Sequence, residues 1–177
     1  MGSKTYGVAK KTSLYAVKVL DASGSGTTSG VVAGMNFVTS DSATRSCPSG
    51  AVANMSLGGA TSTAINSAAR AMIAAGVFLA VAAGNSNTNA ASTSPAGESQ
   101  VCTVGATTSA NARASFSNYG TVVDIFAPGQ DVLSTWNNGG TVCGSYFQPI
   151  LPTIRPLLFL KTLLFLRGFV RPWANDF

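Results

Sequence analysis

No histidine occurs anywhere in this 177-residue chain. The commonest general base and the commonest metal ligand are therefore both absent from it. Charge is scarce as well: Lys, Arg, Asp and Glu make up 10 % of the residues, against 46 % hydrophobic. That balance excludes a disordered polyelectrolyte and suits one close-packed domain, or slightly less than one, built from small side chains. The cysteines Cys47, Cys102 and Cys143 are far apart with no C-x-x-C, which argues against zinc. Their odd number leaves at least one thiol without an intrachain partner. Long apolar runs are missing too. "LLFLKTLLFL" (157–166) is ten residues long with Lys161 in its middle, half of the roughly 20 residues that cross a bilayer. No membrane span is expected, although a basic apolar segment of this kind suits surface attachment. The opening "MGSKTYGVAKK" has no apolar stretch of the export-signal type.

The net charge of +5 does not form a nucleic-acid footprint. Residues 1–140 hold seven basic and five acidic side chains, a balance of +2. The other +3 comes from Arg155, Lys161, Arg167 and Arg171 set against Asp176. No basic stripe interleaved with aromatics appears, so no nucleic-acid partner is expected.

What the chain does contain is a regular alternation of patterns. "SLYAVKVLD" (13–21), "AVANMSLGG" (51–59) and "VFLAVAAGN" (77–85) read as strands, the last fully apolar. Between them, residues 27–41 place Val31, Gly34, Met35 and Val38 at helical spacing. Residues 61–76 do the same with Ile65, Ala68, Ala69, Met72 and Ile73, and Gly76 stands at the C-terminal end. Two further short strands are expected over 100–107 and 121–129. Strand, helix, strand, helix, strand with near-continuous apolar strands predicts an α/β domain, a parallel sheet with helices on both faces. Function in such a sheet gathers at the carboxyl ends of the strands. Here those ends are the glycine-rich turns "DASGSG", "SLGG" and "AAGN".

Two of these turns invite a chemical reading. "GSGTTSG" (24–30) follows a strand and opens a helix, as a dinucleotide-binding turn does, but G-x-G-x-x-G needs glycine where Ser29 stands. The acidic residue wanted at the end of the next strand is also absent; a plain helix-opening turn with no ligand is the favoured reading of the stretch. In "AAGN" (82–85), small residues make an open wall and Asn85 adds an amide. An amide donor aimed at developing negative charge is what an oxyanion hole requires. A turn asparagine bonding its own backbone is the alternative.

The blocks "GVAKKTSLYAVKVLD", "SGVVAGMNFV", "ANMSLGG", "NSAARAMIAAGVFLAVAAGN", "VCTVGATT", "SFSNYGTVVDIFAPG" and "LSTWNNGG" resemble the subtilisin-like serine proteases, most closely the proteinase K group of secreted fungal enzymes. The resemblance runs in unbroken order over about residues 2–140. It implies the subtilisin-like three-layer α/β fold with a central parallel sheet, here without its first strand and without the helix that carries the catalytic serine. It implies a peptide or protein substrate, a monomer, an extracellular parent enzyme made with an inhibitory propeptide, and no organic cofactor. Asn85 matches the oxyanion donor. Ser56, Leu57 and Gly58, facing Ala82, Ala83 and Gly84, match the walls of the pocket for the substrate residue before the cut. Gly24, Ser25 and Gly26 match the edge segment that pairs with extended substrate. Asp124, with the carbonyls of Ser99 and Val101, matches a structural calcium site of hard oxygen ligands.

The departures from the family are as informative. Its catalytic Asp and His motifs have no counterpart here, and residues 2–11 match what directly follows the His motif. Its nucleophile should follow "STWNNGG" within Gly-Thr-Ser-Met-Ala, where this chain reads "TVCGSYFQPILP". Ser145 lacks that motif. Cys143 has no base to form its thiolate, and Lys10 and Lys11 lie in a polar run unsuited to a Ser–Lys dyad. Cys47 and Cys102 resemble family cysteines whose partners lie outside the matching segment. Losing a native bridge costs about 2–5 kcal/mol, so a marginal fold is expected. Residues 141–177 hold seven of the twelve leucines and a single serine after Gly140, and read as a non-family tail from an unspliced intron or a shifted reading frame. The expectation is a partial endopeptidase domain over 1–140, inactive as it stands. A non-catalytic peptide-binding protein and a dinucleotide-binding module are the alternatives.

Overall fold

The computed structural model describes residues 1–46 and 50–134 with their side chains, and the backbone of 135, 141–144 and 162–167. The apolar runs become strands β1 (Ser13–Lys18), β2 (Ala51–Met55), β3 (Gly59–Ala60), β4 (Val77–Ala82), β5 (Thr93–Ser94), β6 (Cys102–Thr107), β7 (Ile125–Pro128), β8 (Val132–Thr135), β9 (Thr141–Gly144) and β10 (Thr162–Arg167). The two periodic stretches become helices α1 (Thr28–Thr44) and α2 (Thr63–Ala74). Both helices begin at a hydroxyl cap. Thr27 Oγ1 accepts from the Gly30 N–H at 3.0 Å, and Ser62 Oγ from the Ile65 N–H at 3.4 Å. Each bond satisfies one of the amides that a helix start leaves unpaired. Helix α2 stops where Gly76 takes φ +83°, a left-handed conformation that costs glycine nothing.

The main sheet has the order β1-β10-β2-β4-β6-β7. Strands β2, β4, β6 and β7 pair in parallel, and β10 runs antiparallel to both of its neighbours. Small antiparallel pairs, β3 with β5 and β8 with β9, stand apart from it.

Strand β4 shows how the sheet is buried. Val77, Leu79 and Val81 join Met35 and Val38 of α1 and Ala69 and Met72 of α2 in one core. Ala80 and Ala82 point the other way, into a smaller cluster with Val104. Met35, Met55 and Met72 are completely buried; excluding such a side chain from water contributes about 1.5–3 kcal/mol each. Both helices therefore lie on one face among the described residues, where the sequence pattern suggested cover on both. The apolar signal of the second face is real, since Ala80, Ala82 and Val104 are buried there, but Phe78 at its end remains 55 % exposed.

One strand boundary also changes. Strand β1 stops at Lys18 rather than Asp21, because its ladder with β10 ends there, opposite Thr162, and Asp21 is drawn into a turn of its own. Thr162–Arg167, within the leucine-rich stretch after Gly140, forms β10 between β1 and β2 of the main sheet.

Candidate functional site

The turns after β1, β2 and β4 meet at one end of the sheet and enclose two adjoining hollows. The larger, about 850 Å³, is lined by Gly24, Ser25 and Gly26 on one side and by Ser56, Leu57 and Gly58 on the other. The smaller, about 450 Å³, lies between Leu57-Gly58 and the wall Ala82-Ala83-Gly84-Asn85. The segment from Leu57 to Ala60 is the partition between them. All ten residues singled out in these three turns thus border one continuous cleft.

Each wall has its own local cause. In the first turn Asp21 Oδ1 accepts from the Ser23 N–H at 2.8 Å, the Ser23 hydroxyl at 2.6 Å and the Ser25 N–H at 3.0 Å. Gly24 takes φ +84°, which lets the chain fold back so that the Asp21 N–H reaches the Ser25 carbonyl at 2.8 Å. A side chain on Gly26 would sit 2.6 Å from the Val19 carbonyl. On the second wall, Ser56 Oγ accepts from Asn54 Nδ2 at 3.1 Å, while Asn54 Oδ1 is buried with no partner among the described residues. The floor is tied down by the β3–β5 pair and by Ser94 Oγ, which accepts from the Ser62 N–H at 2.9 Å.

The third wall hangs on Asn118, which is 1 % exposed. Its Nδ2 donates to the Ala83 carbonyl at 2.8 Å. Its Oδ1 accepts from the N–H groups of Ser86 at 3.0 Å and Thr88 at 3.1 Å, and from the Thr88 hydroxyl at 3.3 Å. Its own N–H donates to the Gly84 carbonyl at 2.9 Å. One buried amide therefore holds residues 83–88 in place from both ends. Gly84 permits this, with φ +105° and no room for a Cβ, which would fall 2.4 Å from Asn118 Nδ2. Asn85, at the centre of the clamped loop, is half-buried on the wall of the smaller hollow. Its side-chain amide has no hydrogen-bond partner among the described residues, so it is available to a ligand rather than spent on the turn.

Asp21 and Asn118 were not picked out from the sequence as functional. For Asp21 the signal was present, since an Asp followed by Ser and Gly residues is a turn former that captures nearby amides. For Asn118 it was not, because its partners lie some 30 residues away in the chain.

The metal reading rests on less. Asp124 Oδ2 accepts from the Thr103 N–H at 2.6 Å, which occupies one of its two oxygens. Among the described residues no group of three or more His, Cys, Asp or Glu gathers anywhere. A calcium ion there would take one carboxylate and otherwise backbone oxygens, a sparse but chemically suitable set. Cys102 lies next to this corner and is half-buried. Burial first, and the Asp124 charge second, push its thiol above the ordinary cysteine value. Both disfavour the thiolate, so Cys102 is a poor nucleophile. Lys10 and Lys11 are exposed. Cys47, Ser145 and residues 136–140 lie outside the described residues, as does the side chain of Cys143. No described helix is long and apolar enough to cross a membrane.

The Subtilase family model matches residues 1–151, past the compositional change at Gly140. The chain is 67 % identical over 141 residues to a "Subtilisin-like serine protease AsES" of Sarocladium strictum, covering 80 % of this chain and 36 % of that protein. It is 60 % identical to "Proteinase T" of Parengyodontium album, over 80 % of this chain and 48 % of the relative. The crystal structure of a cold adapted subtilisin-like serine proteinase superposes with a TM-score of 0.67 at 52 % identity, over 72 % of this chain and 45 % of the other. The chain thus spans between about a third and a half of the length of these relatives. With a family match over most of its length and a subtilisin-like fold, this chain belongs to the subtilase family of serine proteases.

Proposed function

We propose that this chain is the substrate-binding part of an extracellular serine endopeptidase. In that reading Asn85 donates to the oxyanion, and Gly24–Gly26, Ser56–Gly58 and Ala82–Gly84 hold an extended peptide. The observation that carries it is the Asn85 amide, without a partner among the described residues and held on a loop that Asn118 clamps on both sides. A donor fixed before the reaction begins stabilises the tetrahedral intermediate without the cost of reorganisation. The carboxylate, imidazole and hydroxyl of a Ser-His-Asp triad would come from sequence beyond this one, since the chain has no histidine at all.

As it stands, the chain binds peptide without turning it over. This second reading, a peptide-binding protein, is favoured by the same lack of histidine. Titration with a fluorescent extended peptide should show saturable binding that Asn85→Ala leaves within about twofold, because the ground-state carbonyl needs little from that donor. When the acid, base and nucleophile segments of a related subtilase are joined to the chain, a chromogenic peptide anilide should be hydrolysed. Asn85→Ala should then lower kcat by about 10²- to 10³-fold, the magnitude established for an oxyanion-hole asparagine in subtilisin itself. Hydrolysis that survives Asn85→Ala undiminished refutes the assignment.

A structural calcium on Asp124 and the carbonyls of Ser99 and Val101 belongs to the same reading. Its support is the hard oxygen chemistry of that corner. Millimolar calcium should raise Tm relative to a chelator, and Asp124→Asn should abolish the difference.

A further inference from the structure

Of the eleven asparagines in the chain, Asn54 alone stands two residues before a serine or threonine with a non-proline residue between, in Asn54-Met55-Ser56. That triplet is the acceptor motif for N-linked glycans, which ordinarily sit on exposed loops of exported proteins. Here it lies at the end of β2, a strand interior to the main sheet. Asn54 is 1 % exposed.

The fold closes the motif in two ways. Side chains two residues apart on an extended chain share one face, and Asn54 Nδ2 donates to Ser56 Oγ at 3.1 Å. The nitrogen that would carry a sugar is therefore already bonded to the hydroxyl of its own motif. Level with Asn54 on β4 is Ala80, itself buried. Interiors are packed without voids of sugar size, so a glycan on Nδ2 reaches solvent only if the sheet opens.

The order of synthesis reverses that protection. Strand β4 begins at Val77 and β6 at Cys102, 23 and 48 residues after Asn54. At about 5–20 residues per second, those 48 residues take about 2–10 s to make. Parallel pairings between distant segments also form slowly. Throughout that interval the triplet is extended and its amide is free.

We infer that Asn54 is a conditional N-glycosylation site. It is open on the extended chain, closed once β2 pairs with β4, and incompatible with that pairing once modified. In the transfer, the bond from the anomeric carbon of a polyprenyl-diphosphate oligosaccharide to its diphosphate oxygen breaks, and a carbon–nitrogen bond to Asn54 Nδ2 forms. The amide gives up one proton to the transferase, and the polyprenyl diphosphate leaves. The glycan thereby marks chains that have not closed the sheet. Its occurrence in the cell rests on the extracellular reading above; the chemistry at Asn54 does not.

The two are kept apart by translating the full chain into endoplasmic-reticulum microsomes behind a supplied export signal. Part of the product should carry one glycan, removable by peptide-N-glycosidase and located by mass spectrometry at Asn54 in tryptic peptide 46–70. Asn54→Gln and Ser56→Ala should each abolish it. Purified unmodified chain is then offered the lipid-linked oligosaccharide and solubilised transferase. Met72→Asp, which puts a charge at a completely buried position, should be modified at least tenfold faster than the unaltered chain. Glycosylated chains should be digested by thermolysin at least tenfold faster than unglycosylated ones. The absence of a glycan on the microsomal product, equal rates for the two purified chains, or equal resistance to thermolysin overturns the inference.

Discussion

Replacing Asn118 by alanine removes four side-chain hydrogen bonds at once, and their surroundings decide the cost. Ala83 is 1 % exposed, so its carbonyl, deprived of Asn118 Nδ2, is left buried without a partner, at about 1–3 kcal/mol. Ser86 and Thr88 are exposed. Their freed donors find water, and each lost bond costs nearer the net value of about 0.5–1 kcal/mol. The sum is about 2.5–6 kcal/mol, a large part of the 5–15 kcal/mol that typically separates a folded domain from its unfolded state. Urea denaturation of the full chain measures the loss, and hydrogen exchange at the Ser86 and Thr88 amides locates it; their protection should fall at least tenfold. A double-mutant cycle sharpens the argument. Gly84→Ala drives a Cβ against Asn118 Nδ2, so it should cost at least 1 kcal/mol less once Asn118 is alanine, the strain of its positive φ remaining in both backgrounds. A loss below 1 kcal/mol for Asn118→Ala, with exchange at Ser86 and Thr88 unchanged, would refute the idea that this side chain clamps the Asn85 loop.

Gly34→Ala sets two effects against each other: alanine gains about 1 kcal/mol of helix propensity, but its Cβ would lie 2.3 Å from Val19 Cγ1. Val19 is β-branched and has few rotamers to retreat into, so overpacking of about 1–3 kcal/mol should win and urea should unfold the variant earlier. Cys102 should react with iodoacetamide more slowly at pH 8 than a thiol in an unfolded peptide, and Asp124→Asn should speed it, as mass spectrometry of its tryptic peptide would show. Because the folded state holds that proton more tightly, this contribution to stability is complete below the unfolded thiol's pKa and is lost as pH rises through the folded one.

The sequence reading located α1 and α2 to within three residues of their observed ends, because apolar spacing of 3.6 and hydroxyl caps are local signals. Strand ends were less legible. β1 and β2 each stop three or four residues earlier than their apolar or glycine-rich runs suggested, since where a ladder ends depends on a neighbouring strand. The three cleft turns were legible from their glycines. Their confluence around one space was inferred from the parallel arrangement, in which strand ends of the same sense must lie together.

What the sequence by itself determined was the kind of element at each place and the chemistry offered at the turns: small walls, an asparagine amide and no imidazole. These follow from side-chain size, backbone freedom and periodicity, which act over a few residues. Tertiary structure alone decided that Asn118 would clamp the loop carrying Asn85, with partners some 30 residues away. It alone decided that a leucine-rich strand near residue 165 would lie between two strands from the first third of the chain. Pairings of that kind depend on backbone groups which every residue carries alike, so nothing in a residue's identity announces its partner.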